Sequence, residues 1–189
     1  MIKTPEMYRE EDYYDEVFAK DLEWYACDPE VCQYYPIWSI MIGFIKGRVL
    51  ELGCGVGQGP QLMVRNGKQY VVGIDFSPVA IDKARKRNPS LNFLCKDIMD
   101  VNFDDYDYDT VYSSETFEHI KDDYALLRKI PAGKQIILSV PDAHAIGHAR
   151  YFESIEDVSL HYKEFIDIAN TAQHKLVNIT FFIIEGTVR

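Results

Sequence analysis

Apolar positions along this chain fall into short β-branched runs that alternate with longer segments of helical spacing. The first clear run is Arg48-Val49-Leu50-Glu51-Leu52, which leads directly into glycines. Gly59-Pro60-Gln61-Leu62-Met63-Val64 then predicts a helix with Pro in its first turn and Asn66-Gly67 as its stop. Tyr70-Val71-Val72-Gly73-Ile74 predicts a second strand. Ser77 can cap the next helix, with Pro78 at its first position and Asn88-Pro89 at its end. Further strands are predicted over residues 92–96, 110–113 and 135–140, the last closed by Pro141. Helical pattern covers 121–129 and returns around 154–162, and two last strands are expected at about 164–168 and 179–186.

Strands that alternate with helices imply crossover units, hence an α/β fold with a doubly wound, mostly parallel sheet. Ligands of such sheets bind beyond the carboxyl ends of the strands, near the switch point in strand order. The loops after strands one to four are therefore where chemistry is expected. The 189 residues suit one domain, and no repeat or long Pro/Gly/Ser-rich linker divides them. Residues 1–46 are expected to form a helical cover or lid, and 47–189 the core.

Charge changes the picture of that cover. Against 20 Lys+Arg stand 30 Asp+Glu, a formal net charge of −10. Bulk nucleic acid is bound through excess basic charge, so this balance argues against such a partner. Seven of the ten surplus negative charges fall in residues 1–30, and the remaining residues are nearly balanced. The same cover is rich in aromatics: Tyr8, Tyr13, Tyr14, Trp24, Tyr25, Tyr34, Tyr35 and Trp38. They either shield a cation in a pocket or dock an amphipathic helix marked by Val17, Leu22 and Tyr25. The basic cluster Lys83, Arg85, Lys86 and Arg87 reads as a solvated helix face.

The start of the chain has no signal-peptide pattern, and the longest apolar run, 36–45, is about half a bilayer span. A cytoplasmic protein without membrane association is expected. Cys27, Cys32, Cys54 and Cys95 have neither zinc-site nor redox spacing, and are expected to be reduced thiols, buried or half-buried.

Gly53-Cys54-Gly55-Val56-Gly57 follows the first strand and precedes a helix, a context in which glycines let the backbone approach a ligand closely. The dinucleotide pattern G-x-G-x-x-G fails, since Gln58 or Pro60 stands at its third glycine. Asp75 ends the second strand, where a carboxylate can accept both hydroxyls of a ribose, and Phe76 beside it can lie against an adenine. Asp97 ends the third strand and can accept from the exocyclic amine of a base.

With these motifs in place, the chain is identified as a member of the class I, Rossmann-like S-adenosylmethionine-dependent methyltransferases. Val49 through Gln58 resembles their nucleotide loop, Val72 through Ser77 their second-strand motif, Lys96-Asp97-Ile98 the third, and Tyr108 through Ile120 the fourth-strand segment. The segments around Glu118-His119-Ile120, Ser139-Val140-Pro141 and 148–152 are similar to small bacterial and viral members, many without an assigned substrate. The resemblance implies a seven-stranded sheet of order 3-2-1-4-5-7-6 with the seventh strand antiparallel. It also implies that S-adenosylmethionine is the cofactor and S-adenosylhomocysteine its product. Gly53 and Gly55 would carry the methionine part, with Glu51 supporting its ammonium end and Ser113 and Ser114 beneath its amino group. Asp75 would bind the ribose, with Phe76, Asp97 and Ile98 at the adenine.

Candidate bases for the proton of an acceptor are His119, just after the fourth strand, and His148, in the loop after the fifth. Each has a plain structural alternative, as a brace for the local turn. Tyr34, Tyr35, Trp38 and Arg150 are candidate substrate contacts. His144 and His148 have helical metal spacing, but Gly147 and Pro141 weaken a helix there and no carboxylate completes a set, so no metal is expected. The Asp105-Asp107-Asp109 run fails as a calcium loop, with Thr110 in place of the required Gly. The expected function is methyl transfer to an O or N atom of a small-molecule or sugar-containing metabolite, with oligomeric state unassigned. Alternatives are a non-catalytic S-adenosylmethionine-binding partner subunit or an aminopropyl transferase.

Overall fold

The computed structural model describes residues 11–20, 22–145 and 147–189. Tyr8 and the side chain of Trp24, both counted among the aromatics of the cover, lie outside the described residues. Seven strands form one sheet: β1 (Arg48–Leu52), β2 (Gln69–Asp75), β3 (Phe93–Cys95), β4 (Thr110–Ser114), β5 (Gln135–Pro141), β6 (Ile166–Leu176) and β7 (Ile179–Val188). Their order is β3-β2-β1-β4-β5-β7-β6, with β7 antiparallel to both neighbours and every other pair parallel. The helices are α1 (Glu11–Ala19), α2 (Glu23–Ala26), α3 (Tyr35–Phe44), α4 (Gln58–Arg65), α5 (Pro78–Arg87), α6 (Asp123–Leu127) and α7 (Ile155–Tyr162). Among the described residues no helix is long and apolar enough to cross a membrane.

Strand alternation sends apolar side chains to both faces. Leu50 and Leu52 of β1, and Ile136, Leu138 and Val140 of β5, join Phe117, Leu126, Val158 and Tyr162 in one core. The intervening Val49 and Ile137 pack on the opposite face with Ile37 and Met41 of α3 and Leu62 and Met63 of α4. Ser77 caps α5 as its sequence predicts, its hydroxyl accepting from the Ala80 amide at 3.1 Å.

Three predicted boundaries move. The sixth strand runs to Leu176, well beyond the expected 168. Its outer half, Asn170-Thr171-Ala172-Gln173-His174-Lys175, carries polar side chains on much of its surface because β6 is the sheet edge. Polar edges discourage pairing with another chain, and they also hide the strand pattern. Helix α6 starts later than predicted because Asp122 caps it, accepting from the Ala125 amide at 2.9 Å. Strand β3 keeps only three residues.

The loop after β5 is pinned by a buried ion pair. Arg150, 5% exposed, donates to the carbonyls of Phe117 (2.7 Å) and Lys121 (2.8 Å) and pairs with Asp123 at 3.0 Å. Asp123 also accepts from His161 Nε2 (2.8 Å) and the Tyr162 hydroxyl (3.0 Å). Arg150 therefore braces the fold and does not face a substrate, which corrects its place among the candidate contacts. Its guanidinium, with fixed donors and permanent charge, needs this partner where water cannot reach it. Asp123→Ala would strand that charge, at an expected cost of about 3–5 kcal/mol of unfolding free energy. Urea denaturation measures it, and a loss below about 1 kcal/mol would show that the pair does not hold this loop.

Candidate functional site

A cavity of about 710 Å³ opens beyond the carboxyl ends of β1 to β4. That is the expected place for a ligand in such a sheet, and the size suits a small molecule. The loop after β1 forms one wall. Gly53 has φ +72°, and a Cβ there would lie 2.1 Å from the Thr116 hydroxyl, so only glycine fits. The Gly55 amide donates to Asp75 Oδ2 at 2.9 Å, and the Ser77 amide to Asp75 Oδ1 at 3.0 Å. Burial raises the Asp75 pKa to about 6, against the pull of the two amides. Glu51 lies at the floor with Tyr70 donating to its Oε2 at 2.7 Å. Burial raises it to about 8.

Of the other predicted cofactor residues, Phe76, Asp97, Ile98 and Ser114 line the same cavity. Asp97 is exposed at its rim and accepts from the Met99 amide at 2.8 Å. Ser113 is misplaced by the sequence reading. Its side chain is fully buried and donates to the Leu52 carbonyl at 3.0 Å, outside the cavity lining, because successive residues of β4 face opposite sides. Tyr34 and Trp38 line the cavity and stack with ring centres 5.9 Å apart, whereas Tyr35 is 39% exposed and stands outside the lining.

The far wall brings together residues from three distant segments. Tyr14 of α1 has its hydroxyl 2.7 Å from His119 Nδ1, and both line the cavity. His119 Nδ1 also lies 3.1 Å from the Gly147 carbonyl. Gly147 has φ +94°, and a Cβ would meet the Tyr14 hydroxyl at 2.2 Å. His148 sits behind, its ring edge-on to His119 with centres 4.7 Å apart, and it does not line the cavity. Burial, with His148 beside it, lowers the His119 pKa to about 4, and burial lowers His148 as well, so both rings are neutral near pH 7.

Glu115 and Glu118 were not singled out from the sequence. Glu115 is a non-glycine residue at φ +53°, an uncommon conformation that often marks a functional position. Its carboxyl accepts from the Ser139 hydroxyl at 2.7 Å and lines the cavity. Glu118 is 1% exposed and its Oε2 has no hydrogen-bond partner among the described residues. Burial raises both carboxyls, Glu118 further through its proximity to Glu115. The signal that could have found them is their spacing, Glu115-x-x-Glu118-His119.

Two residues of the basic cluster on α5 depart from the solvated reading, whereas Arg85 and Lys86 are exposed as expected. Lys83 donates to the Phe18 carbonyl at 2.6 Å, and Arg87 to those of Tyr25 (2.6 Å) and Cys27 (2.9 Å). Ser77 bonds Asp15, and Arg65 pairs with Asp28 at 2.7 Å. These contacts dock the acidic first segment over the glycine loop, with Phe18 packed on Val56 and Ala80. None of the four cysteines forms a disulfide; Cys32 and Cys54 are buried and Cys27 half-buried, but Cys95 is exposed, contrary to expectation.

Comparison with known proteins agrees with this geometry. Residues 49–132 match the family model described as a methyltransferase domain. Over 99 residues the chain is 35% identical to the phosphoethanolamine N-methyltransferase of Triticum aestivum, covering 48% of this chain and 20% of that one. Over 174 residues it is 25% identical to the eEF1A lysine and N-terminal methyltransferase of Mus musculus, covering 77% of this chain and 24% of that one. The chain thus spans about a fifth to a quarter of the length of these curated relatives. Its fold matches magnesium protoporphyrin IX methyltransferase from Synechocystis, solved with bound SAH, at a TM-score of 0.73 and 17% identity over 95% of this chain and 97% of that one.

The buried Glu51 carboxyl makes a pH prediction. Its pKa rises from 4.5 to about 8 on folding, so between those values the folded chain holds the proton more tightly than the unfolded chain. Its contribution therefore falls as pH rises from about 5 to 8. Glu51→Gln cannot ionise, and its melting temperature should fall less over that interval than that of the unaltered protein. Parallel pH profiles would show that Glu51 is not desolvated in this way.

Proposed function

We propose that this chain, which has the fold and the sequence domain of class I S-adenosylmethionine-dependent methyltransferases, is an enzyme of that kind acting on an O or N atom of a small-molecule or sugar-containing metabolite. One observation carries the reading. The ribose and base acceptors Asp75 and Asp97 share a single cavity with the Tyr14–His119 pair, so a cofactor site and a proton acceptor face one enclosed space.

The residues present fit S-adenosylmethionine. Glu51 is a buried carboxyl with Tyr70 as its donor and no ion pair among the described residues, which suits an ammonium group. Gly53 and Gly55 would leave room for the methionine part, with Ser114 on its side of the cavity, and Asp75, Phe76, Asp97 and Ile98 would hold the adenosine end. When bound, the cofactor supplies a methyl group made electrophilic by its sulfonium. The chain's own work is alignment, exclusion of water and proton handling.

His119 is the group assigned to the acceptor's proton. A carbonyl only accepts, so in the tautomer that satisfies Gly147 the hydrogen is on Nδ1, shared with the Tyr14 hydroxyl oxygen as a second acceptor, and the Nε2 lone pair is available. The low pKa keeps that lone pair unprotonated. His148 lies behind it and supports it through ring contact. The described residues of the segment before β1 form the lid: α1 supplies Tyr14 and Phe18, and α3, with the turn before it, supplies Tyr34 and Trp38. Thiols without disulfides suit a cytoplasmic location.

Asp75→Ala should weaken S-adenosylmethionine binding more than tenfold by titration calorimetry, and unchanged affinity would overturn the site assignment. His119→Ala should lower transfer of a labelled methyl group about 10²-fold or more while cofactor affinity holds. The acceptors offered are small amines, small alcohols and, given the eEF1A-modifying relative, a lysine peptide. Labelling of the peptide alone would replace the metabolite reading, and binding without transfer to any of them would support a non-catalytic partner subunit. Removing residues 1–30 should abolish turnover if this segment is the lid; a truncated chain with full turnover would show that it is not.

A further inference from the structure

We propose that Glu118, His119 and His148 form a binding site for a divalent first-row transition metal. One ligand atom from each lies within 4.8 Å of the other two. His119 Nε2 stands 3.8 Å from Glu118 Oε1. Metal–ligand bonds near 2.0–2.2 Å would bring such atoms to about 3.4 Å apart, a contraction that modest side-chain rotation supplies.

Three features of these side chains fit a ligand set. His148 Nδ1 lies 3.0 Å from the Ala143 carbonyl and His119 Nδ1 lies 3.1 Å from that of Gly147. Each carbonyl holds the hydrogen on Nδ1, leaving Nε2 as the donor atom. An outer hydrogen bond of this kind orients metal-binding imidazoles. Glu118 Oε2 is buried without a partner, an expensive state for a carboxyl oxygen unless something outside the chain satisfies it. His119 lines the cavity while Glu118 and His148 lie behind it, so an ion held here keeps a coordination position toward the cavity.

The two loops are held together independently of any ion. The Ala149 and Arg150 amides both donate to the Glu118 carbonyl, at 2.7 and 3.3 Å. That contact sets His148 against His119. The neighbour suggested by spacing, His144, is instead exposed and lies against Tyr151. Two imidazoles and one carboxylate suit Zn²⁺, Mn²⁺ or Fe²⁺ over Ca²⁺ and Mg²⁺. Occupation would take the His119 lone pair from proton acceptance and place positive charge beside the acceptor instead, which favours its deprotonated form. Only this catalytic consequence rests on the methyltransferase reading; metal binding does not.

The 189-residue chain is stripped with a chelator, dialysed and titrated with Zn²⁺ and with Co²⁺. About one ion per chain is expected, with Glu118→Gln and His148→Ala each weakening binding about a hundredfold and His144→Ala leaving it unchanged. S-adenosylmethionine titration of the same stripped sample reports separately on the cofactor reading: metal binding without cofactor binding would retain this site and sink that function. Absence of stoichiometric binding in protein that still takes up the cofactor overturns the metal site. So does affinity unchanged from that of the unaltered chain in both ligand variants. If either variant fails to fold, the Co²⁺ complex of the unaltered chain decides, since imidazole nitrogen coordination supports the site and oxygen-only coordination refutes it.

Discussion

Asp75 accepts one hydrogen bond from the Gly55 amide and another from that of Ser77, and through them it joins the loops that follow β1 and β2. Both loops must be held open at the sheet's carboxyl edge, where the backbone has left the ladder and its amides need other partners. A single carboxylate meets both needs. It is itself buried, so it can be retained only because those amides offset part of its desolvation. The glycine loop, the start of α5 and the cavity between them all take their positions from this bridge. A carboxylate committed in this way is already aligned when a ligand enters, which spares part of the ordering cost of binding.

The acidic cover is placed by the same economy of partners. Lys83 and Arg87 of α5 reach back to backbone carbonyls of residues 18, 25 and 27, while Arg65 meets Asp28. The surplus negative charge near the start of the chain is thus met in part by cations of the core. Exposed pairs such as Arg65–Asp28 contribute little stability on their own. The contacts of Lys83 with the Phe18 carbonyl and of Ser77 with Asp15 are made on α1 itself, and they orient the helix that carries Tyr14 and Phe18 into the cavity wall. The single helix expected from Val17, Leu22 and Tyr25 is divided, with Val17 in α1, Leu22 between the helices and Tyr25 in α2. Within α1 Phe18 packs on Val56 and Ala80 while Tyr14 lines the cavity, so docking and lining are both properties of one helix.

Buried carboxyls gather at the opposite wall. Glu115 and Glu118 are three apart on the turn after β4, and the charge of Glu115 adds to the cost of ionising the buried Glu118. Folding tolerates this through the Ser139 contact and through neutral side chains, at the expense of an unsatisfied oxygen on Glu118. The strained backbone at Glu115 belongs to the same turn. Strain, desolvated acid and paired imidazoles lie within one short segment and the loop it touches, which distinguishes this wall from the ordinary polar surface.

The residue pattern by itself determined the alternation of strands and helices, the glycine loop, Asp75 and Asp97, and the family resemblance that predicted the strand order. These are local properties: periodicity of two or near four, a turn requiring positive φ, a carboxylate at a strand end. The outer half of the edge strand β6 was missed because its polar residues resemble a loop. Which serine of β4 reaches the cavity depended on a one-residue alternation that an uncertain strand end left undecided. Tertiary structure alone decided that Arg150 pairs inward with Asp123, that α5's cations dock the cover, and that His148 meets His119 in place of His144. Each of these joins residues between 27 and 65 positions apart. Partners so distant are selected by which loops the finished sheet brings to one edge, and no spacing along the chain encodes that choice.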